Sequence, residues 1–154
     1  MPNEMEKVKT VKDIFTAYMQ EKGLRKTSER YAILEEIYIH PGHFNVESLF
    51  EAMLRKNYRV SLATVYNTLQ LLLDCNLIVK HRFENNMSLF EPTYDITPHE
   101  HLVCLHCGKV EELTDIHIDE AIESVKDKCG FSVHHHLLYI YGLCKECQKL
   151  SLIH

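Results

Sequence analysis

Apolar side chains recur every three to four positions through the first half of the chain, and two short runs of β type follow. Over residues 11–22 the spacing of Ile14, Phe15, Tyr18 and Met19 predicts a helix that Gly23 can end in the left-handed conformation. Thr27 or Ser28 can cap a second helix with an inward stripe of Tyr31, Leu34, Ile37 and Tyr38, broken by His40-Pro41-Gly42-His43. Asn45 is a cap for a third helix with Val46, Leu49, Phe50, Met53 and Leu54 inward. Ser61 caps a fourth, with Leu62, Val65, Leu69 and Leu72 or Leu73 inward and Asn76 at its end. The runs 77–83 and 87–91 read as strands joined by the turn Glu84-Asn85-Asn86. Short helices followed by a hairpin make a winged helix-turn-helix, in which the last helix enters a DNA groove.

That helix carries Thr64, Tyr66, Asn67, Thr68 and Gln70 on its expected outward side, groups able to bond phosphates or base edges. Lys26, Arg30, Arg55, Lys56 and Arg59 are available for backbone contacts. An ordinary solvated helix face carries polar residues too, so this pattern needs support from elsewhere.

Past Pro92 and Pro98 the pattern changes to mixed strand and helix. Residues 102–104 and 109–113 read as strands around a turn that Gly108 allows. Thr114 or Asp115 starts a helix bearing Ile118, Ile122 and Val125, closed by Gly130. The apolar run 137–141 fits a strand covered on both faces, as at a subunit interface. The expected organisation is α+β: a winged-helix DNA-binding domain over 1–92, then an α/β metal-binding domain over 93–154.

Charge separates the same two regions. The net charge is -5, but residues 1–82 hold 12 Lys/Arg against 10 Asp/Glu, while 83–154 hold 5 against 12 and eight of the eleven histidines. A front half that meets an anion and a back half that meets cations fit this asymmetry. No apolar run approaches the ~20 residues of a membrane span. The polar N-terminus has no apolar signal core, so a cytoplasmic protein is expected. Thiols stay reduced there, which disfavours a disulfide framework for the six cysteines.

Cys104-x-x-Cys107 and Cys144-x-x-Cys147 match a closed zinc site, because two residues between sulfurs let one turn present both to one ion. Four thiolates leave no open position, so such a zinc is structural. Cys75 and Cys129 lack partners at that spacing and read as packing residues. His99-Glu100-His101 offers a differently composed site. His43, Glu91 and Glu112 can complete it, and imidazole with carboxylate suits Fe²⁺, Mn²⁺, Co²⁺ or Zn²⁺. The triplet His134-His135-His136 is ambiguous.

The blocks Ser61-Leu62-Ala63-Thr64-Val65-Tyr66-Asn67-Thr68-Leu69, His99-Glu100-His101-Leu102-Val103-Cys104, Cys107-Gly108-Lys109-Val110 and Tyr139-Ile140-Tyr141-Gly142-Leu143-Cys144-Lys145-Glu146-Cys147 resemble the ferric uptake regulator family of bacterial metal-dependent repressors. The resemblance spans roughly Leu24 to Gln148. It implies an N-terminal winged-helix domain, a C-terminal α/β dimerisation domain and a homodimer on palindromic double-stranded operator DNA; no membrane partner is expected. By position it implies structural Zn²⁺ on Cys104, Cys107, Cys144 and Cys147. It likewise implies a regulatory ion, Fe²⁺ or else Mn²⁺ or Zn²⁺, on His43, Glu91, His99, His101 and Glu112. Tyr66 matches a DNA-contacting tyrosine, and Lys26 a minor-groove lysine.

Some family members carry a further site that uses a histidine where this chain has Pro98, leaving Glu100, Asp119 and His136 as remnants. Peroxide-sensing members resemble the chain at Asn67 but use aspartates at the positions of Glu91 and Glu112. Zinc-sensing members place a cysteine near Glu91, and none is present here. Iron sensing is therefore favoured over peroxide sensing, and both over zinc or manganese sensing. A metal-dependent hydrolase is the competing class. It is disfavoured by the lack of a nucleophile motif and by a ligand set that leaves little room for substrate.

Overall fold

A computed structural model describes residues 3–84, 86–133 and 136–151. It divides into two compact units, Met1–Arg82 with Ser88–Ile96, and Phe83–Met87 with Thr97–His154.

The first unit is a winged helix-turn-helix. Helix α1, Glu4–Glu21, starts earlier than the expected residue 11, at a capping box formed by Asn3 and Glu6. The Asn3 side chain accepts from the Glu6 amide at 2.8 Å, and the Glu6 carboxylate accepts from the Asn3 amide at 3.2 Å. At its other end Gly23 adopts φ +67°, and the Leu24 amide returns to the Met19 carbonyl at 2.8 Å. Thr27 caps α2, Ser28–Ile39, and Asn45 with Ser48 caps α3, Val46–Arg55. Ser61 caps α4, Leu62–Asp74, by accepting from the Thr64 amide at 3.0 Å. Asn76, at φ +61°, ends that helix and turns the chain into the wing.

In the wing, β1 (Ile78–Arg82) and β2 (Ser88–Pro92) pair antiparallel, from Ile78 opposite Pro92 to Arg82 opposite Ser88. Asn85, at the expected turn, lies outside the described residues. One apolar cluster joins Val11, Phe15 and Met19 of α1 to Ile33, Leu34 and Ile37 of α2, Leu49 and Met53 of α3, Val65, Leu69 and Leu72 of α4, and Ile78 and Phe90 of the wing. Tyr38 bolts this core to the chain leaving the wing. Its hydroxyl donates to the Leu77 carbonyl at 2.6 Å and accepts from the Tyr94 amide at 3.1 Å.

Several inward and outward assignments change. Ile33 is buried, whereas Tyr31 and Phe50 are half-buried and Leu54 and Leu62 are exposed. Thr68, expected outward, is fully buried, and its hydroxyl has no hydrogen-bond partner among the described residues. Position 68 follows Val65 by three and precedes Leu72 by four, which places it on the inward stripe of a 3.6-residue helix despite its polarity.

The second unit is built on a three-stranded sheet of order β4-β3-β5. Strand β3, Glu100–Cys104, pairs antiparallel with β4, Val110–Leu113, and parallel with β5, Tyr139–Gly142. Parallel pairing requires a crossover, which α5, Asp119–Cys129, supplies before Gly130 closes it at φ +67°. The helix starts at Asp119 and not at Thr114 or Asp115. Its N-cap, Ile118, makes no side-chain capping bond, and Asp119 and Glu120 place negative charge in the first turn. Helix α6 is Lys145–Ser151.

The strand expected over 137–141 is shorter and is not covered on both faces within one chain. Tyr139 and Tyr141 are half-buried, and Ile140 remains 38% exposed. No described helix is long and apolar enough to cross a membrane.

Candidate metal centres and nucleic-acid face

The two cysteine pairs converge in the second unit. Cys104 ends β3 opposite Gly142 of β5, so that parallel register delivers Cys144, two residues on, to the turn that carries Cys107. Gly108 makes the first turn at φ +79°, with its amide bonded to the Cys104 carbonyl at 3.0 Å. Ligand sulfurs of Cys104, Cys107, Cys144 and Cys147 all lie within 4.8 Å of one another.

The thiols are electrostatically unequal. Backbone N–H groups of Cys107 and Cys144 donate to the Cys104 sulfur and lower its pKa to about 6. Cys147 is pushed up to about 12, first by its bond with the Cys144 sulfur and then by burial. One thiolate is thus favoured and further ones are resisted, which is the condition that a divalent cation relieves. The donor set fits a zinc site. Cys75 lies elsewhere, half-buried, with its thiol raised by burial and bonded to the Leu72 carbonyl at 3.7 Å. Cys129 is exposed at the end of α5.

The histidine and carboxylate candidates fall into two sets, one in each unit. In the first unit, His43 leaves the turn before α3 and Glu91 lies on β2. Glu91 Oε2 is 3.1 Å from His43 Nε2, and its Oε1 is 2.6 Å from His81 Nε2. In the second unit, the His99 and His101 rings lie 4.9 Å apart, and Glu112 Oε1 is 3.8 Å from His99 Nε2. Glu112 stands opposite His101 in the β3–β4 register. His101 is walled by Tyr139 at 5.9 Å and by Phe83 at 6.3 Å, and Phe83 is itself edge-on to Tyr139.

His81 was not among the expected residues. It lies between Lys80 and Arg82 on β1 and is the most buried histidine among those described, with 1% exposure. Its signal is alternation. His81 is two residues from both Val79 and Phe83, which places it on one strand face with them. Because Val79 stands opposite Glu91 and His81 opposite Leu89, His81 and Glu91 are diagonal neighbours on that face. Only the strand register joins them.

Of the expected remnants, Glu100 and His136 do meet, with Oε1 and Nε2 2.8 Å apart. Asp119 is exposed in the first turn of α5, and among the described residues it does not join them in a group able to hold an ion. His134 and His135 lie outside the described residues.

On α4, Tyr66 is 52% exposed and Asn67 and Gln70 are also exposed, while Thr64 is half-buried beside its cap Ser61. Arg30 and Arg59 line a cleft of about 260 Å³ with Ser61, Thr64 and Asn67. Lys26 is exposed and donates to the Gln20 side chain at 3.3 Å. Cationic, hydroxyl and amide groups thus share one face of the first unit, a combination that suits phosphates and base edges.

Comparison with known proteins gives one result. The ferric uptake regulator family model matches residues 21–141. The ferric uptake regulation protein of Haemophilus influenzae is 34% identical over 131 residues, covering 83% of this chain and 88% of that protein. The peroxide operon regulator of Bacillus subtilis is 33% identical over 131 residues, covering 85% of this chain and 89% of its own. The crystal structure of the Vibrio cholerae ferric uptake regulator aligns at a TM-score of 0.66 with 34% identity, over 82% of this chain and 96% of that one. The chain belongs to the ferric uptake regulator family of metal-dependent transcriptional regulators.

Proposed function

We propose that this protein is an iron-responsive repressor in which one regulatory ion is shared by His43 and Glu91 of the first unit and His99, His101 and Glu112 of the second. The observation that carries this reading is the division of the donors. Each unit presents an incomplete set of imidazole and carboxylate groups, and neither set alone fills the coordination sphere of a divalent transition metal. An ion that needs both sets favours one arrangement of the units, and its effect equals its differential affinity for that arrangement. Metal and DNA are then linked, so operator DNA tightens metal binding by the factor that metal tightens DNA binding.

The Cys104, Cys107, Cys144 and Cys147 cluster holds structural zinc in this reading. A second copy covers the exposed apolar side chains of the sheet unit, giving a homodimer that reads a palindrome through α4. Tyr66 and Asn67 contact bases, while Lys26, Arg30 and Thr64 contact the backbone.

The test is anaerobic Fe²⁺ titration of zinc-loaded protein against an operator selected from random DNA. Fe²⁺ is expected to switch on specific binding in the wild type. His99→Ala is expected to abolish that switch while zinc content and dimer remain intact. Metal-independent binding by both proteins ends the shared-ion reading. For the DNA face, Asn67→Arg is expected to change the preferred base at one operator position by about 1–3 kcal/mol. An unchanged preference removes Asn67 as a reader.

Peroxide sensing is the second reading, favoured by the similarity to the Bacillus subtilis regulator. It is separated by exposing the Fe²⁺ form to low peroxide. Rapid oxidation of His43 or His99 with release of DNA assigns that role. Survival of the complex retains iron sensing.

A further inference from the structure

Glu91 is held between two histidines of the first unit that differ in their access to solvent. Its Oε2 is 3.1 Å from the partly exposed His43, and its Oε1 is 2.6 Å from His81, whose side chain is 1% exposed. We propose that His81 is a positioning residue that confines Glu91 to one-oxygen metal binding and so biases which ion the regulatory site prefers. The inference rests on the shared-ion reading above and deepens it.

A carboxylate that coordinates a metal is ionised and can only accept hydrogen bonds. His81 therefore presents its Nε2–H to Oε1, in a hydrogen bond to an ionised acceptor at 2.6 Å. Binding an ion through both oxygens requires Glu91 to turn Oε1 away from the buried imidazole and weaken that bond. Binding through Oε2 alone keeps it, and Oε2 is the oxygen already on the side of His43. The wing makes the arrangement rigid, because His81 and Glu91 are diagonal neighbours on paired strands.

Carboxylates serve hard cations with one oxygen or two, and one-oxygen binding keeps the coordination number low. That favours ions such as Co²⁺ and Fe²⁺ relative to Mn²⁺, which prefers oxygen-rich octahedral sites. A buried core strut is the competing role for the same pair, and it would not distinguish one ion from another.

The experiment uses full-length protein with zinc in the cysteine site, and Co²⁺ and Mn²⁺ as probes. Lack of thiolate-to-cobalt absorption confirms that zinc has not exchanged. His81→Leu is expected to weaken Co²⁺ binding by about 10–100-fold, the usual loss on removing a partner of a metal ligand. Mn²⁺ binding is expected to fall less, and the visible Co²⁺ bands to lose intensity as coordination rises. His81→Gln, whose amide can donate from nearly the position of Nε2, is expected to retain wild-type affinity and spectrum. His81→Asn, one methylene shorter, is expected to behave like His81→Leu.

A folded His81→Leu protein with an unchanged spectrum and an unchanged ratio of Co²⁺ to Mn²⁺ affinity overturns the proposal. So does equal weakening for both ions with an unchanged spectrum, the mark of a core strut. Where the leucine variant does not fold, the amides decide, and indistinguishable His81→Gln and His81→Asn proteins overturn it. Wild-type Co²⁺ bands that survive both His43→Ala and His99→Ala remove the shared ion and this inference together. Bands lost in those variants but indifferent to His81 remove the inference alone.

Discussion

In the first unit, helices α1–α4 and the wing close over one continuous apolar cluster from Val11 to Phe90. In the second unit, α5 buries none of its residues, and Ile116, Val125, Phe131, Leu137 and Leu143 remain exposed. Its buried side chains among those described are Phe83, Glu100, His101, Val103, Cys104 and Cys147, four of them metal-ligand candidates. The contrast shows two routes to a fold. The winged helix buries a continuous apolar core, whose burial opposes the entropy of its chain. In our reading, the sheet unit substitutes metal–sulfur bonds and the surface of a second copy.

The sharpest way to break this comparison is to open the cysteine site. Structural zinc contributes folding free energy on the order of 10–16 kcal/mol in small domains. Cys104→Ser, or a strong chelator, is therefore expected to abolish the thermal transition of the second unit and its dimer while leaving that of the first unit. Calorimetry with elemental zinc analysis checks this. Full zinc content and an intact second transition in the variant would show that the sheet unit does not depend on the site.

The reverse perturbation is a cavity in the helical core. Leu34→Ala is expected to destabilise the first unit by about 2–5 kcal/mol, as for other buried leucines. Zinc content and the second transition should stay at wild-type values. A matching loss in both transitions would mean that the units unfold as one.

The smallest effect expected is at Thr68. Its buried hydroxyl makes no hydrogen bond among the described residues, so Thr68→Val keeps the shape and removes an unsatisfied group. Urea unfolding should show the first unit stabilised by about 1 kcal/mol. A loss of that size instead would reveal a partner for the hydroxyl, such as ordered water.

Legibility in the sequence followed the range of the interaction. The caps Thr27, Asn45 and Ser61 and the stop at Asn76 bond to groups within a few residues, and all stand where they were expected. Helix α1 starts earlier than expected, although Val8 already continues the stripe of Val11 and Phe15 and the Asn3–Glu6 capping box marks its N-terminal end. The start of α5 was misplaced, since Thr114 and Asp115 offer capping side chains but the helix begins without one. Thr68 shows that chemical type can mislead where helical phase does not.

The metal candidates divide in the same way. The two Cys-x-x-Cys pairs are recognisable alone, because a tight turn presents both sulfurs of a pair whatever the rest of the chain does. Their convergence is a tertiary outcome, set by the parallel register that aligns Cys104 with Gly142. His99 and His101 were legible from their two-residue spacing. His81 was not, because its bond to Glu91 depends on which residues of two strands stand opposite one another. Helix caps, paired cysteines and the histidine pair can be read from the chain alone, because all are written in separations of two to four residues. Tertiary structure alone decided which cysteine pair meets which and which imidazole holds Glu91, because strand register is set by packing whole faces and not by neighbours in the chain.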